Sequence, residues 1–147
     1  NDGCRGPDLT MSFKWNDEDN QHGYKGHVFS TNGDVGVGQH GSMSKYEMNN
    51  LLICYGKSFR ESERILSPTG NVDILPTVLK LLDVPIPKAV EGRVLNEALV
   101  ENGEKIVSTL VTHTASRSLP QGQYLQELLV SNVNGTLYLE QGNAFVS

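Results

Sequence analysis

Apolar residues are arranged along this chain with three different spacings, and each spacing predicts a different element. Between residues 7 and 15 they alternate with polar residues, which is typical of a strand with one buried face. The unbroken apolar run Leu51–Tyr55 ends at Gly56, and a short run bounded by a turn residue predicts a fully buried central strand. Between residues 71 and 82 the apolar positions have helical spacing, which predicts an amphipathic helix.

Capping signals indicate where helices begin. Asp73 stands where a helix N-cap is needed, and Pro76 falls in the first turn, where a missing N–H costs little. Ser44 and Glu47 have the spacing of a capping box, in which each side chain accepts a hydrogen bond from a free backbone N–H. The sequence therefore predicts a short helix that ends near Asn50 and a longer one that follows Asp73.

The last forty residues have a different pattern. Lys105–Thr114 is rich in β-branched residues, Gln123–Val133 is predicted to be extended, and Thr136–Glu140 follows as a further extended stretch. Asn134-Gly135 lies between the last two and is a strong signal for a type I′ hairpin turn. A small antiparallel β appendage is expected at the carboxy-terminal end.

Together these elements predict an α/β fold in two parts. Residues 1–104 are expected to form the main domain and residues 105–147 the antiparallel β extension. A chain of 147 residues with 37% hydrophobic residues can bury a real core, and this composition is ordinary for an α/β protein.

Charge and hydropathy exclude two classes of partner. A net charge of −5 argues against a nucleic-acid duplex, because binding to phosphates usually requires a basic face. No apolar run approaches the roughly 20 residues that a membrane-spanning helix needs. Cys4 and Cys54 lie fifty positions apart and form no Cys-x-x-Cys motif, so they predict neither a redox pair nor a thiolate zinc site.

The polar segment 16–38 is predicted to be a long surface loop, and it borders two misleading motifs. Residues 36–41 satisfy the G-x-G-x-x-G dinucleotide pattern, but no hydrophobic strand precedes them, as that fingerprint requires. Asp17-Glu18-Asp19 resembles the start of a calcium loop, but His22 stands where the loop needs glycine and Val28 where it needs glutamate. We interpret this acidic stretch as a solvated turn.

Four histidines are candidates for metal binding, and His40 is the strongest. Glycines on either side of it, Gly38 and Gly41, free the backbone to bring an imidazole close to a metal, and it precedes the predicted core strand. His22 and His27 are interpreted as surface loop residues and His113 as a structural strand residue. Composition alone would still favour an ordinary loop residue at position 40.

Several segments in a fixed order resemble the carboxy-terminal third of the alkaline phosphatase superfamily, in particular its type I phosphodiesterase/nucleotide pyrophosphatase branch. The resemblance covers about residues 5–99. In order along the chain, its segments are His40-Gly41, Met48-Asn49-Asn50-Leu51-Leu52, Gly56-Lys57-Ser58-Phe59-Arg60, Gly70-Asn71-Val72-Asp73-Ile74-Leu75-Pro76-Thr77 and Gly92-Arg93-Val94-Leu95. The resemblance implies a partial alkaline-phosphatase-like fold.

It also implies a site of two metal ions, usually zinc, that activate a Ser or Thr nucleophile against a small phosphoester substrate. His40 would be one zinc ligand, and Asp73 matches a helix-starting aspartate that we interpret as structural. The nucleophile and the Asp and Asp-His ligands of the family match nothing in this chain. Catalytic zinc needs about three protein ligands, so the isolated chain is expected to be inactive. The family favours a secreted or periplasmic location, which the residues themselves do not indicate.

Two alternatives remain open at this stage. The chain could be a non-catalytic binding or oligomerisation module whose open sheet edge is covered by another copy. It could also resemble sulfatases, which carry a similar Asp-x-x-Pro-Thr helix. The combination of Gly-x-His-Gly with Gly-x-x-Phe favours phosphodiesters over sulfate esters.

Overall fold

The computed structural model describes residues 6–29, 40–101, 103 and 106–147. Contacts between Cα atoms divide the chain into two compact units. Unit 1 consists of Asn1–Asn50, Thr114–Leu128 and Glu140–Ser147, and unit 2 of Leu51–His113 and Leu129–Leu139. None of the helices in the described ranges has the length and apolar character that crossing a bilayer requires.

The helices of the described residues are short. Helix α1 spans Lys45–Met48 and helix α2 spans Ile74–Leu81, and two 3-10 turns cover Asn71–Asp73 and Asn96–Ala98. Helix α2 confirms the helix predicted after Asp73. Helix α1 is shorter than predicted, because its backbone departs from helical geometry at Asn49.

Three strands form the one sheet found in the described residues. They are β1 (Ser108–Leu119), β2 (Gly122–Val133) and β3 (Thr136–Val146), hydrogen-bonded in that order in an antiparallel arrangement. Asn134 and Gly135 connect the last two strands with φ values of 51° and 91°. A type I′ turn needs positive φ at both positions, so this confirms the predicted hairpin turn.

The α/β expectation, with its partial alkaline-phosphatase-like fold, is wrong. The described residues form mainly the three-stranded antiparallel sheet and contain few helical residues. Leu51–Tyr55, predicted to be a buried central strand, belongs to no strand, and every residue in it is exposed. An apolar run indicates that a segment can be buried but does not identify the strand beside it, and no described segment pairs with this one.

Trp15 is a buried apolar residue of unit 1 and is 4% exposed. Its indole Nε1 donates to the carbonyl of Gly142 at 2.7 Å, and its backbone forms an isolated antiparallel bridge with Val28. A second bridge joins Asp19 to Lys25. The stretch from Trp15 to Val28 is thus hairpin-like, where the sequence predicted a long surface loop. The half-buried strand predicted over residues 7–15 is wrong, because residues 7–14 belong to no strand and are exposed.

Candidate functional site

His40, the predicted metal ligand, is exposed in unit 1. Gly41 follows it with φ +94°, and a Cβ at that position would meet no atom within 4 Å. The left-handed backbone favours glycine there, and the surrounding space is open. Residues 36–39 lie outside the described residues, and with them half of the Gly38-Gln39-His40-Gly41 segment and four of the six residues of the G-x-G-x-x-G pattern.

The three residues after Gly41 are anchored by hydrogen bonds. Ser42 N donates to the Glu47 carboxylate at 2.8 Å. Met43 N donates to Ser12 Oγ at 2.9 Å, and its carbonyl accepts from Gly142 N at 2.9 Å. Ser44 is fully buried and is the N-cap of α1, accepting a bond from Tyr46 N. The segment that begins two residues after His40 is therefore anchored, and His40 lies just before it.

The capping box predicted for Ser44 and Glu47 is only partly formed. Ser44 caps the helix as expected, but the Glu47 carboxylate accepts from Ser42 N and not from the N-cap residue itself. The loop before the helix is thereby folded onto α1. This contact stabilises the path of the backbone just after His40.

The described residues do not supply a complete zinc site. Across 6–29, 40–101, 103 and 106–147, no group of three or more His, Cys, Asp or Glu residues could hold a metal ion. His27 stacks on Phe29 with 5.0 Å between ring centroids, His22 lies beside Gln21, and His113 is on exposed β1. One imidazole is too few ligands for zinc, so ligation by His40 stays a prediction.

Asp17, the first residue of the rejected calcium motif, has other partners. Its carboxylate lies 2.7 Å from Lys45 Nζ and accepts a 2.6 Å hydrogen bond from Tyr46 OH. The bond with Lys45, followed by that with Tyr46, lowers the pKa of Asp17. Since both charged side chains are solvent-exposed, this pair contributes little to stability. Asp17 of the acidic stretch therefore forms a surface ion pair, which is consistent with a solvated turn.

The most buried polar cluster lies in unit 2 and is centred on Asp73, which is 0% exposed. One oxygen of its carboxylate accepts from Arg93 N at 2.8 Å. The other accepts from Gly70 N at 2.8 Å and from Tyr138 OH at 2.9 Å. We call Asp73, Arg93, Glu97 and Tyr138 the buried polar network.

Arg93 supplies most of the donors in this network. Its guanidinium makes a two-point contact with Glu97, at 2.9 and 2.7 Å, and the exposed fractions of the two side chains are 10% and 8%. Nε donates to Tyr138 OH at 2.9 Å, and one terminal nitrogen also donates to the Pro68 carbonyl at 3.0 Å. Burial is the largest single influence on the Arg93 pKa and lowers it, but the hydrogen bond and charge of Glu97 together with the contact with Tyr138 outweigh it, so the guanidinium pKa is raised.

Thr77 adds a second connection between the same segments. Its hydroxyl donates to the Asp73 carbonyl at 2.7 Å and accepts from Leu95 N at 3.0 Å. Gly92 lies so close to residue 72 that a Cβ would be 2.0 Å from the Val72 carbonyl oxygen. The Asn-Val-Asp-x-x-Pro-Thr helix and the Gly-Arg-x-Leu segment are therefore packed directly against each other.

The buried side-chain polar atoms of this cluster all have hydrogen-bond partners within the protein. Asp73 thus has the structural role that the sequence suggested. Sequence reasoning did not identify Glu97 or Tyr138 as members of the network. The i,i+4 spacing of Arg93 and Glu97 was a usable signal for the first, but no local pattern points to a tyrosine 65 residues from Asp73.

The Tyr138 hydroxyl should make the free energy of unfolding depend on pH under alkaline conditions. Burial and then the hydrogen bond to Asp73 raise its pKa to about 12, above the roughly 10 of an unfolded tyrosine. The folded state holds the Tyr138 proton more tightly than the unfolded state does. The stability that this proton contributes is therefore complete below about pH 10 and is lost as the pH rises towards 12. We expect unfolding free energy to fall there by roughly 1.4 kcal/mol per pH unit. Urea titrations between pH 9 and 12 measure this.

Tyr138→Phe is the matching comparison, because it keeps the ring and removes the titrating group. At neutral pH we expect it to cost about 1–3 kcal/mol, since Asp73 and Arg93 each lose a partner. Between pH 10 and 12 its stability should fall less steeply than that of the wild type. Equal slopes for the two proteins would contradict the assignment.

A scan against protein-family models, a search of curated proteins and a search of solved structures found no match to this chain.

Proposed function

We propose that this chain is the His40-bearing segment of a metal-dependent phosphodiesterase, and that the nucleophile and remaining metal ligands come from outside these 147 residues. The observation that carries the proposal is the hydrogen bond that Arg93 N donates to the Asp73 carboxylate. It joins two motifs of the resemblance, residues 70–77 and 92–95, through Asp73 of the first and Arg93 of the second. This contact keeps one residue of each motif together in the buried polar network.

Two further features support the same proposal. His40 is exposed beside a left-handed glycine, so its imidazole is accessible to a metal ion held partly by other residues. The apolar run Leu51–Tyr55 is uncovered, with Leu51 84%, Ile53 79% and Tyr55 99% exposed. Such a contiguous apolar stretch marks a surface that another segment covers.

The test compares the 147-residue chain with the intact gene product that contains it. We expect stoichiometric zinc and hydrolysis of bis(p-nitrophenyl) phosphate in the intact product, and neither in the isolated chain. In the intact product, His40→Ala should reduce zinc affinity and turnover more than tenfold, a range typical of disturbed metal sites. Zinc content by mass spectrometry and initial rates give the two readouts.

His113→Ala is the control, because His113 is also an exposed histidine but lies on β1. It should leave zinc and turnover unchanged. Stoichiometric zinc with turnover in the isolated chain would contradict the claim that the site is incomplete. Equal loss in the two variants would remove His40 from the site, and faster cleavage of p-nitrophenyl sulfate than of the phosphodiester would favour a sulfatase.

The second candidate is a non-catalytic binding or oligomerisation module. The exposed run Leu51–Tyr55 favours it, because an uncovered apolar segment suits a partner surface as well as a missing part of an enzyme. Measurements of bound zinc and turnover on the intact product distinguish the two candidates. A module would retain its partner contacts but show neither bound zinc nor phosphodiester turnover.

A further inference from the structure

Strand β1 is an edge of the sheet with almost no cover on either face. All of its residues from Ser108 to Ser118 are exposed, and only Leu119 is partly buried. Among the described residues, its backbone forms no hydrogen bonds outside the sheet. A long open edge is a template for another strand, and proteins usually blunt it with lysine or proline. Neither residue occurs within β1.

The opposite edge of the sheet is protected. In β3, Gly142 N donates to the Met43 carbonyl, and the Gly142 carbonyl accepts from the Trp15 indole. These two contacts use the backbone groups that a further strand would need at this point. Pairing along the sheet is therefore open at β1 and obstructed at β3.

We propose that β1 pairs in antiparallel orientation with β1 of a second copy of this chain, forming a closed two-fold dimer with a continuous six-stranded sheet. The pair is closed because both copies use the same edge, β1, and the contacts at Gly142 obstruct the β3 edge that a third copy would need. The proposal is independent of hydrolysis, since it uses no residue of the proposed metal site.

The charges on β1 favour a second copy as the partner. The chain carries a net charge of −5, but β1 contains no acidic residue, whereas β2 has Glu127 and β3 has Glu140. Its one lysine or arginine, Arg117, lies near the carboxy-terminal end. Antiparallel pairing places the two Arg117 side chains at opposite ends, whereas parallel pairing would place them side by side.

Residues near the middle of β1 provide the test. In an antiparallel pairing that uses most of the strand, Thr112 and Thr114 lie close to Thr112 and Thr114 of the second copy, because these residues are near the middle of β1. The double variant Thr112→Lys/Thr114→Lys concentrates like charges there, which disfavours cross-strand pairing. The control Thr10→Lys/Thr69→Lys adds the same charge at exposed sites outside the sheet.

Sedimentation velocity should give twice the 16.1 kDa chain mass for the wild type and the control, and a single chain mass for the β1 double variant. Hydrogen exchange should show β1 amides that become protected as protein concentration rises. A monomeric wild type, meaning that the edge is free or awaits a different chain, overturns the proposal. So does a dimer that survives the double substitution, or open-ended aggregation in place of a dimer.

Discussion

Replacement of Arg93 by alanine is expected to destabilise the protein by about 3–5 kcal/mol, the cost of removing one partner from a buried ion pair. Glu97 would keep a charge with only 8% of its side chain exposed and no guanidinium to balance it. Tyr138 and the Pro68 carbonyl would each lose a hydrogen-bond donor as well. Urea denaturation at neutral pH, followed by circular dichroism, measures the change.

Arg60→Ala is the matched control. Arg60 also faces a glutamate, Glu63, but the distance is 3.9 Å and the two side chains are 41% and 43% exposed. Its removal should cost about 0–1 kcal/mol, as for other exposed pairs. Arg93→Lys should remain clearly destabilised, because an ammonium cannot reproduce the two-point contact and the bond to Tyr138. Similar losses for Arg60→Ala and Arg93→Ala would show that the buried polar network is not the source of stability.

Gly92→Ala is expected to cost about 3 kcal/mol, at the upper end of what extra atoms in a packed interior cost. The added Cβ would be 2.0 Å from the Val72 carbonyl oxygen and 2.9 Å from Asp73 N. Both atoms belong to the backbone of the 3-10 turn that precedes α2, so they cannot rotate away as a side chain could. The segment carrying Arg93 would have to move, and the Asp73–Arg93 bond would lengthen.

Gly103→Ala tests whether this effect is specific. A Cβ at Gly103 would approach only the end of the Arg60 side chain, at 3.6 Å, which is ordinary contact. We expect a change of less than about 0.5 kcal/mol, as for most surface substitutions. Thermal unfolding of the two alanine variants under identical conditions measures the difference. A Gly92→Ala protein as stable as Gly103→Ala would mean that the two motif segments separate without loss.

Local sequence signals predicted two local elements of this structure correctly. The helix after Asp73 and the Asn134-Gly135 turn are confirmed, because both depend on residues a few positions apart. Leu51–Tyr55 was predicted wrongly, since its apolar character says nothing about which strand lies beside it. Ligation by His40 stays a prediction, since the described part of the chain contains no group of three residues that could hold a metal ion.

The buried polar network shows a second limit. Asp73 was identified as a helix-starting residue, but its position alone could not indicate that it also binds Arg93 and Tyr138. Tyr138 falls in an alternating segment where a tyrosine usually signals a strand with one packed face. Its hydroxyl became informative only once β3 had placed it beside Asp73.

The hydrogen bond between the Trp15 indole and the Gly142 carbonyl has a consequence for the order of folding. These residues are 127 positions apart, whereas Asp73 is 20 positions from Arg93 and 65 from Tyr138. Closing a longer loop costs more chain entropy, and structures rich in such distant contacts fold more slowly. Unit 2 can therefore form its network while the two ends of the chain are still apart. Trp15 is the one tryptophan in the sequence, so its fluorescence would follow the closure of the longest of these loops.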